Sequence, residues 1–590
     1  MSDNQDGYLD QSEIQKACKS TGFSDNYDEI RATLKQVSSS SANKIDAEEF
    51  IELAAKLKEG RNKGAFDVHQ HKIKVHGTTT NVTHTINEDE RTEFTHHINS
   101  VLAGDNHIGH RLPISTNTMQ LFDECRDGLI LCKLINDAVP DTIDERVLNA
   151  GKKINQFQMV ENNNIVINSA KAIGCSVVNI GSQDIMEARE HLILGLIWQI
   201  IKKGLLSKID IKLHPELYRL LEDGETLDEF LRLPPDQILL RWFNYHLKRA
   251  NWHRTVNNFS KDVSDGENYA VLLNQLQPQT CSDPQQIIRQ QDVLQRAELV
   301  LQEADKIGCR KYLTPKSMVA GNPKLNLAFV AHLFNTYPCL DPLTEEEIPE
   351  VEPFDAEGER EARMFTLWLN SLNVDPGVYN LFEDLQDGLV LLQAFDKVVP
   401  GLVNWRAVSK KPLPLSRFKQ IENCNYCVLL GQQRGFSLVG IQGADITDGQ
   451  RTLTLGLVWQ LMRENIIHTL HSLGGTGGRP VSDQDMIKWA NQTVAKGGKS
   501  TKMQSFRDPQ LRSGVFFLDV LNGMKPGIVD YSMVTPGRTD DDAFNNARLA
   551  ISIARKLGAT IFLVPEDIVE VRSKMNLTFV GSLMVLDRQH

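Results

Sequence analysis

Long apolar runs are missing from this chain of 590 residues: the longest uncharged one, Leu192 to Ile201, is far short of the roughly 20 residues a bilayer-spanning helix needs. The N-terminus is polar and acidic, which is no signal peptide. Cysteine is scarce and scattered. Nine are present, and Cys125, Cys132, Cys175 and Cys309 sit inside apolar helical pattern, which points to reduced core thiols rather than a disulfide framework. Cys424 and Cys427 have CxxC spacing, but no second pair or histidine cluster follows to complete a zinc or redox site. Positive charge is also in deficit: 64 Lys and Arg stand against 76 Asp and Glu, a net charge of −12, so a general nucleic-acid binder is excluded and any basic contact must be a local patch. No Ser/His/Asp or paired-carboxylate constellation stands out, which argues against an enzyme. Gly497 to Ser500 resembles the end of a phosphate-binding loop, yet Thr493 occupies the place of its first glycine. His69, His71, His76 and His84 lack metal spacing, and Asn81 to Thr83 is a glycosylation triplet by composition alone. What remains is a soluble, intracellular, monomeric binding protein.

One phrase occurs twice. Leu194-Gly195-Leu196-Ile197-Trp198-Gln199 returns as Leu455-Gly456-Leu457-Val458-Trp459-Gln460, 455 − 194 = 261 residues later. A duplication of that size puts two whole binding units in one polypeptide. Finer repetition divides each unit again, because four segments carry the same blocks in the same order. Each opens on an amphipathic helix with an aromatic-x-Asn signature: His97 to Asn99, Trp242 to Asn244, Trp368 to Asn370 and Trp489 to Asn491. A turn follows, at Asp127-Gly128, Asp265-Gly266, Asp387-Gly388 and Ser513-Gly514, where glycine permits positive φ ahead of the next helix. A further helix closes at Gly174, Gly308, Gly435 or Gly558, and the last helix is apolar on nearly every face.

Alternation orders the four. The first and third copies carry Trp198 and Trp459 in the last helix, where the second and fourth have Ala331 and Gly581. The chain is therefore a tandem pair duplicated once. Between copies lie a polar stretch, an acidic Pro-bearing stretch with Glu345 to Glu347, and the flexible Gly474 to Gly478.

The aromatic-x-Asn helices, Asp-Gly turns and closing Leu-Gly-Leu-Ile-Trp helix resemble the calponin-homology domain. Four of them behind an EF-hand-like segment are similar to the fimbrin or plastin family, with a fungal character. The resemblance implies an all-α fold: four calponin-homology domains as two tandem actin-binding domains, preceded by a small helical EF-hand-like segment. The expected layout is that segment over 1–60, a linker over 61–87, domains over 88–205, 230–340, 357–467 and 481–590, a connection over 206–229, an acidic linker over 341–356 and a Gly-rich linker over 468–480. It further implies cross-linking of actin filaments into tight bundles, with calcium as a conceivable ligand.

For the family, the contact surface draws on the first and last helices of the odd domains and the first helix of the even ones. Here that means Glu90 to Leu102, His191 to Leu206 and Gln237 to Lys248, then Glu361 to Leu372, Thr452 to Ile466 and Asp485 to Val494. The candidate contacts within it are His97, Ile193, Ile197, Trp198, Ile201, Lys202, Lys203, Lys208, Trp242 and Lys248 in the first half. In the second half they are Trp368, Val458, Trp459, Met462, Arg463 and Lys488. A helix apolar all round is first of all core, but one exceeding what a small domain can cover would leave an apolar strip. Beside it Lys202, Lys203, Lys208 and Lys212 would suit an acidic polymer. Departures from the family pattern are His97 in place of Trp, and Glu93 and Met364 at a position usually given to a small residue.

Residues 2–13 fit a twelve-residue calcium loop, with Asn4, Asp6, the Tyr8 carbonyl, Asp10 and Glu13 as ligands and Gly7 at the turn. Ser2 stands where Asp is usual, and only Met1 precedes it, so the entering helix is missing as truncation would leave it. A second loop, Ser38 to Glu49, has Ala42 at a ligand position and Asn43 at the turn, and reads as inactive, with Ile45 in its apolar slot. Two other functions compete: a calponin-homology scaffold for microtubule or signalling partners, and a nucleotide-dependent enzyme using Lys499. The tandem order favours actin over both.

Overall fold

The computed structural model describes residues 6–39, 44–62, 74–76, 83–348 and 356–590. Three helices form the N-terminal module: α1 (Gln11–Ser20), α2 (Tyr27–Val37) and α3 (Ala47–Asn62). A short antiparallel hairpin follows, β1 (Lys74–His76) with β2 (Thr83–Thr85), where the sequence suggested only a solvated tract. The first domain is built on α4 (Glu88–Val101), α5 (Leu129–Ala138), α6 (Gln156–Ala172) and α7 (Glu190–Leu206). The second uses α8 (Pro235–Arg249), α9 (Glu267–Leu276), α10 (Val293–Lys306) and α11 (Pro323–Thr336). The third has α12 (Ala356–Ser371), α13 (Leu389–Val398), α14 (Arg417–Gln433) and α15 (Arg451–Leu473), the last running past the boundary expected at 467. The fourth has α16 (Asp483–Lys496), α17 (Val515–Met524), α18 (Asp540–Leu557) and α19 (Ser573–Gln589).

Two side-chain amides explain why the repeat takes this form. The Asn of each aromatic-x-Asn signature trades two hydrogen bonds with one backbone unit of the following loop: Asn99 with Ile114, Asn244 with Val256, Asn370 with Val378 and Asn491 with Met503, at 2.7–2.9 Å. The amide thus satisfies a loop that has no ladder or helix of its own. A second amide ties the turn to the long third helix. Asn162 donates to Asp127 O and Asn149 O and accepts from Asn149 N, each at 3.0 Å. Asn423 does the same for Asp387 and Ser409, and Asn546 for Ser513 and Thr535. In the second domain Arg296 takes the place, donating to Asp265 O and Gln290 O.

The turn has to be glycine. At Gly128 φ is +78°, and a Cβ there would lie 2.8 Å from Asn163 Oδ1; at Gly388 φ is +77°, with Asn423 Cβ 2.9 Å away. Repetition of Asp-Gly thus records a close approach between turn and helix. Cys424 and Cys427 are buried on α14 with their thiols on Gln386 O and Gly388 O, and burial pushes both well up, so they serve the same turn. The Gln closing the duplicated phrase is a third staple: Gln199 brackets Ser176, and Gln460 brackets Ser437.

The two halves pack directly. Helix α18 of the fourth domain lies on α6 of the first, with Ser552 Oγ accepting from Asp144 N at 2.8 Å, Thr560 donating to Asn168 at 2.8 Å and Lys556 reaching Val147 O at 2.7 Å. Arg555 is buried in this contact and, among the described residues, donates to Thr142 O and Ile561 O, and burial pushes its guanidinium down to about 10. The tether between the halves therefore does not by itself set their spacing.

Replacing Asn423 by Ala leaves buried backbone groups of the third domain unpaired and is expected to cost about 3 kcal/mol, at roughly 1–3 kcal/mol for each unsatisfied group. Hydrogen exchange in rising urea should show the third domain opening first. Arg555→Met is expected to be neutral or to raise the calorimetric unfolding temperature, because a buried cation without a carboxylate is replaced by an apolar chain of similar length.

Candidate functional site

The apolar candidates lie inside the molecule. On α7, Ile193 and Ile197 are fully buried, and Ile201 and Trp198 nearly so; Trp198 stacks on Phe94 with ring centroids 5.7 Å apart. On α15, Val458, Trp459 and Met462 are buried likewise. The expected surplus strip does not exist as surface, because each of these helices is covered by the last helix of its partner domain, α11 on α7 and α19 on α15. Gly581 marks a close approach of α19 to α15: a Cβ there would meet Ile466 Cγ2 at 2.8 Å.

The aromatic slots are also interior. Trp242 is fully buried and its indole donates to Pro338 O at 2.7 Å, Trp368 is 3% exposed, and His97 is buried with its Nδ1 2.9 Å from the Tyr312 hydroxyl. Burial, with Lys311 and His332 nearby, pushes His97 down to about 3, so it is neutral. His97, Ile193, Ile197, Trp198, Ile201, Trp242, Trp368, Val458, Trp459 and Met462, expected as contacts, thus lie buried in the interior of the heads.

The basic candidates divide differently. Lys208, Lys248 and Lys488 are exposed, and Lys202 is half-buried. Lys203 is half-buried at the end of the central helix, and desolvation lowers its ammonium. Arg463 is engaged with Asp483 at 2.7 Å, a bond that links the third and fourth domains. Lys499, the residue of the imitation phosphate loop, sits 3.9 Å from the centre of the Tyr531 ring.

The two heads close with different chemistry. In the first, Glu93 and His97 of α4 lie near Arg310, Lys311 and Tyr312 of the second domain, and burial raises Glu93 to about 7. At the corresponding positions the second head carries Met364, Trp368 and Phe562, all buried. Of the departures noted in the sequence, Glu93 and His97 therefore fall at the seam between the paired domains of the first head.

In the N-terminal module, Asn4 lies outside the described residues, as do Ser40, Ala42 and Asn43 of the second loop. Asp6 accepts from Tyr8 N at 3.0 Å and pairs with Lys44 at 3.4 Å. Asp10 and Glu13 form a reciprocal cap at the start of α1: Asp10 accepts from Glu13 N at 2.9 Å, and Glu13 accepts from Asp10 N at 2.8 Å. No group of three or more His, Cys, Asp or Glu among the described residues is placed to hold a metal. The two loops do pair, through Leu9 and Ile45, which exchange backbone hydrogen bonds of 2.8 and 3.0 Å.

One cluster escaped the sequence reading. Arg31 of α2 reaches Asp123 and Glu190 of the first domain; Arg31 and Glu190 are buried and Asp123 is largely covered. Its signal was a charge difference inside the duplication: Glu190 matches Arg451, since 451 − 190 = 261.

Comparison with known proteins follows this architecture. The calponin homology (CH) domain matches residues 88–205, 233–339, 359–467 and 480–588. The chain is 62% identical to a fimbrin of Schizosaccharomyces pombe over 587 residues, covering 98% of this chain and 95% of that one. It is 60% identical to a fimbrin of Saccharomyces cerevisiae over 613 residues, covering 99% and 95%, and 46% identical to plastin-3 of Homo sapiens over 514 residues, covering 85% and 80%. The crystal structure of the actin-crosslinking core of S. pombe fimbrin matches with a TM-score of 0.75 at 62% identity, covering 85% of this chain and all of that one. Four stapled helical domains in alternating order, matched over nearly the whole length, place this chain in the fimbrin family.

Proposed function

We propose that this protein binds actin filaments through two tandem heads and cross-links them into tight bundles in the cytoplasmic actin cytoskeleton, without catalysing a reaction. The observation that carries this is the presence of two complete heads of the same construction in one chain. Similarity to an actin-crosslinking core favours actin over a microtubule or signalling partner.

The docking faces are the outer rims of α4, α7 and α8 in the first head and of α12, α15 and α16 in the second. With the expected apolar side chains in the interior, contact falls to basic groups, the exposed Lys208 and Lys248 with half-buried Lys202 on one head and the exposed Lys488 on the other. Such contacts are individually weak. Packing between the halves holds the second head in a fixed relation to the first, so a neighbouring filament is met at high effective concentration.

Calcium enters only through the loop ending at Glu13. Binding requires that carboxylate to leave the Asp10 amide it caps, which opposes affinity. Isothermal titration of the intact chain is expected to show no heat at micromolar calcium; a clear heat there reverses this reading.

Lys208→Glu combined with Lys248→Glu is expected to weaken first-head docking by up to about tenfold, from roughly 0.5–1 kcal/mol at each exposed charge. Low-speed pelleting of bundles should fall, while high-speed co-sedimentation through the second head persists. Loss of neither would remove these lysines from the docking face.

A further inference from the structure

The polar seam inside the first head is built around one tyrosine. Tyr312, in the loop after α10, has φ at +70°, a left-handed backbone that costs a bulky residue energy, and its hydroxyl lies 2.9 Å from His97 Nδ1 on α4. Two imidazoles lie against its ring from opposite domains, His97 at 5.4 Å and His332 of α11 at 6.2 Å between ring centroids. Lys311 Nζ stands 5.1 Å from the same ring centre. Elsewhere along the seam Asn322 donates to Glu90 at 3.1 Å, Lys324 lies 3.7 Å from Glu90, and Asn335 donates to Leu205 O at 3.2 Å.

The charges around the imidazoles are cationic. Lys311 faces both of them, and Lys208, just past α7, faces His332; Asp137 of α5 faces Lys311 and Tyr312. Burial first, and then these lysines, push His97 down to about 3 and His332 to about 4, so both are neutral while the seam is closed. A histidine depressed in this way favours closure above its free value of about 6.5, and that contribution is lost as pH falls toward 4. Glu93 works in the opposite sense. Burial, with Asp89 beside it and Arg310 opposing, raises it to about 7, so its contribution to closure is present in acid and is lost as pH rises through 7. On opening, two imidazoles gain protons and one carboxyl releases its own. The net uptake in mild acid is about one proton.

The second head has nothing of this kind at the matching positions. Glu93 and His97 are replaced by Met364 and Trp368, and at an offset of 562 − 312 = 250 Lys311, Tyr312 and His332 become Ile561, Phe562 and Ser582. None of these five side chains changes charge between neutral and mildly acid pH.

We propose that the seam of the first head is an acid-sensitive joint: protons taken up by His97 and His332 around Tyr312 part the second domain from α4, while the second head stays closed. A docking face spread over α4, α7 and α8 belongs to both domains, so parting them breaks it up. That consequence rests on the filament-binding reading above; the joint itself does not.

The test measures hydrogen-exchange protection of the intact chain, corrected for the intrinsic rate at each pH, over residues 88–101 and 309–314, with residues 359–371 of the second head as the internal reference. Between pH 7 and pH 5 the seam is expected to lose protection about tenfold relative to the reference. Glu93→Gln removes the opposing carboxyl and should steepen the loss to roughly a hundredfold or more. His97→Gln combined with His332→Gln keeps neutral hydrogen-bonding side chains and should reverse the sign, the seam tightening in acid through Glu93 alone. Protection that does not change with pH in the parent, or a parent-like loss in the double variant, overturns the joint. Low-speed actin pelleting then reads the consequence: the concentration giving half-maximal bundling should rise in the parent from pH 7 to pH 5 and not in the double variant. Loss of protection with unchanged bundling overturns the effect on docking. A chain that pellets no filaments even at pH 7 overturns the filament reading, and the exchange result still decides the joint.

Discussion

A side-chain amide reaching from a long helix back to a left-handed glycine turn is the constraint on which each domain is built. Asn162, Asn423 and Asn546 each satisfy three backbone groups of two separate loops, and Arg296 supplies two of the same bonds in the second domain. These loops carry no regular hydrogen-bonding partners of their own, so burying them without the amide would strand polar groups in an apolar interior. Once the turn is pinned, the central helix has a defined trough, and its all-round apolar character becomes a packing requirement.

That requirement extends beyond the single domain. One domain covers only part of its central helix, and the remainder is covered by the central helix of its neighbour. Where α19 meets α15, the missing side chain at Gly581 lets the helices approach to the Ile466 side chain. A head is therefore the smallest unit in which the central helices are covered. Weak, charge-led docking repeated at two sites suits a cross-linker, since avidity supplies the strength that each face lacks.

Duplication has not left the two heads equivalent. The fourth domain lies on α6 of the first, and the N-terminal module lies on the ends of α4 and α7, both on the first head. The seam inside that head is polar, with Glu93, His97 and Tyr312, whereas the matching positions of the other head carry the buried apolar Met364, Trp368 and Phe562.

Much was legible in the sequence because repetition exposes what local physics demands. Asp-Gly turns and aromatic-x-Asn helices follow from backbone sterics and loop hydrogen bonding. These act over a few residues and recur at fixed spacing. The four helical domains, their order and their pairing were therefore determined by the chain alone. Which side of an apolar helix faces water was not, because Ile197, Trp198, Val458 and Met462 are covered by residues more than a hundred positions away. Nor did local pattern announce that Arg31 would find Glu190, or that Ser552 would find Asp144. Those partners are chosen by three-dimensional complementarity between domains, and only the assembled structure decides which charges are buried together and which are left for a filament.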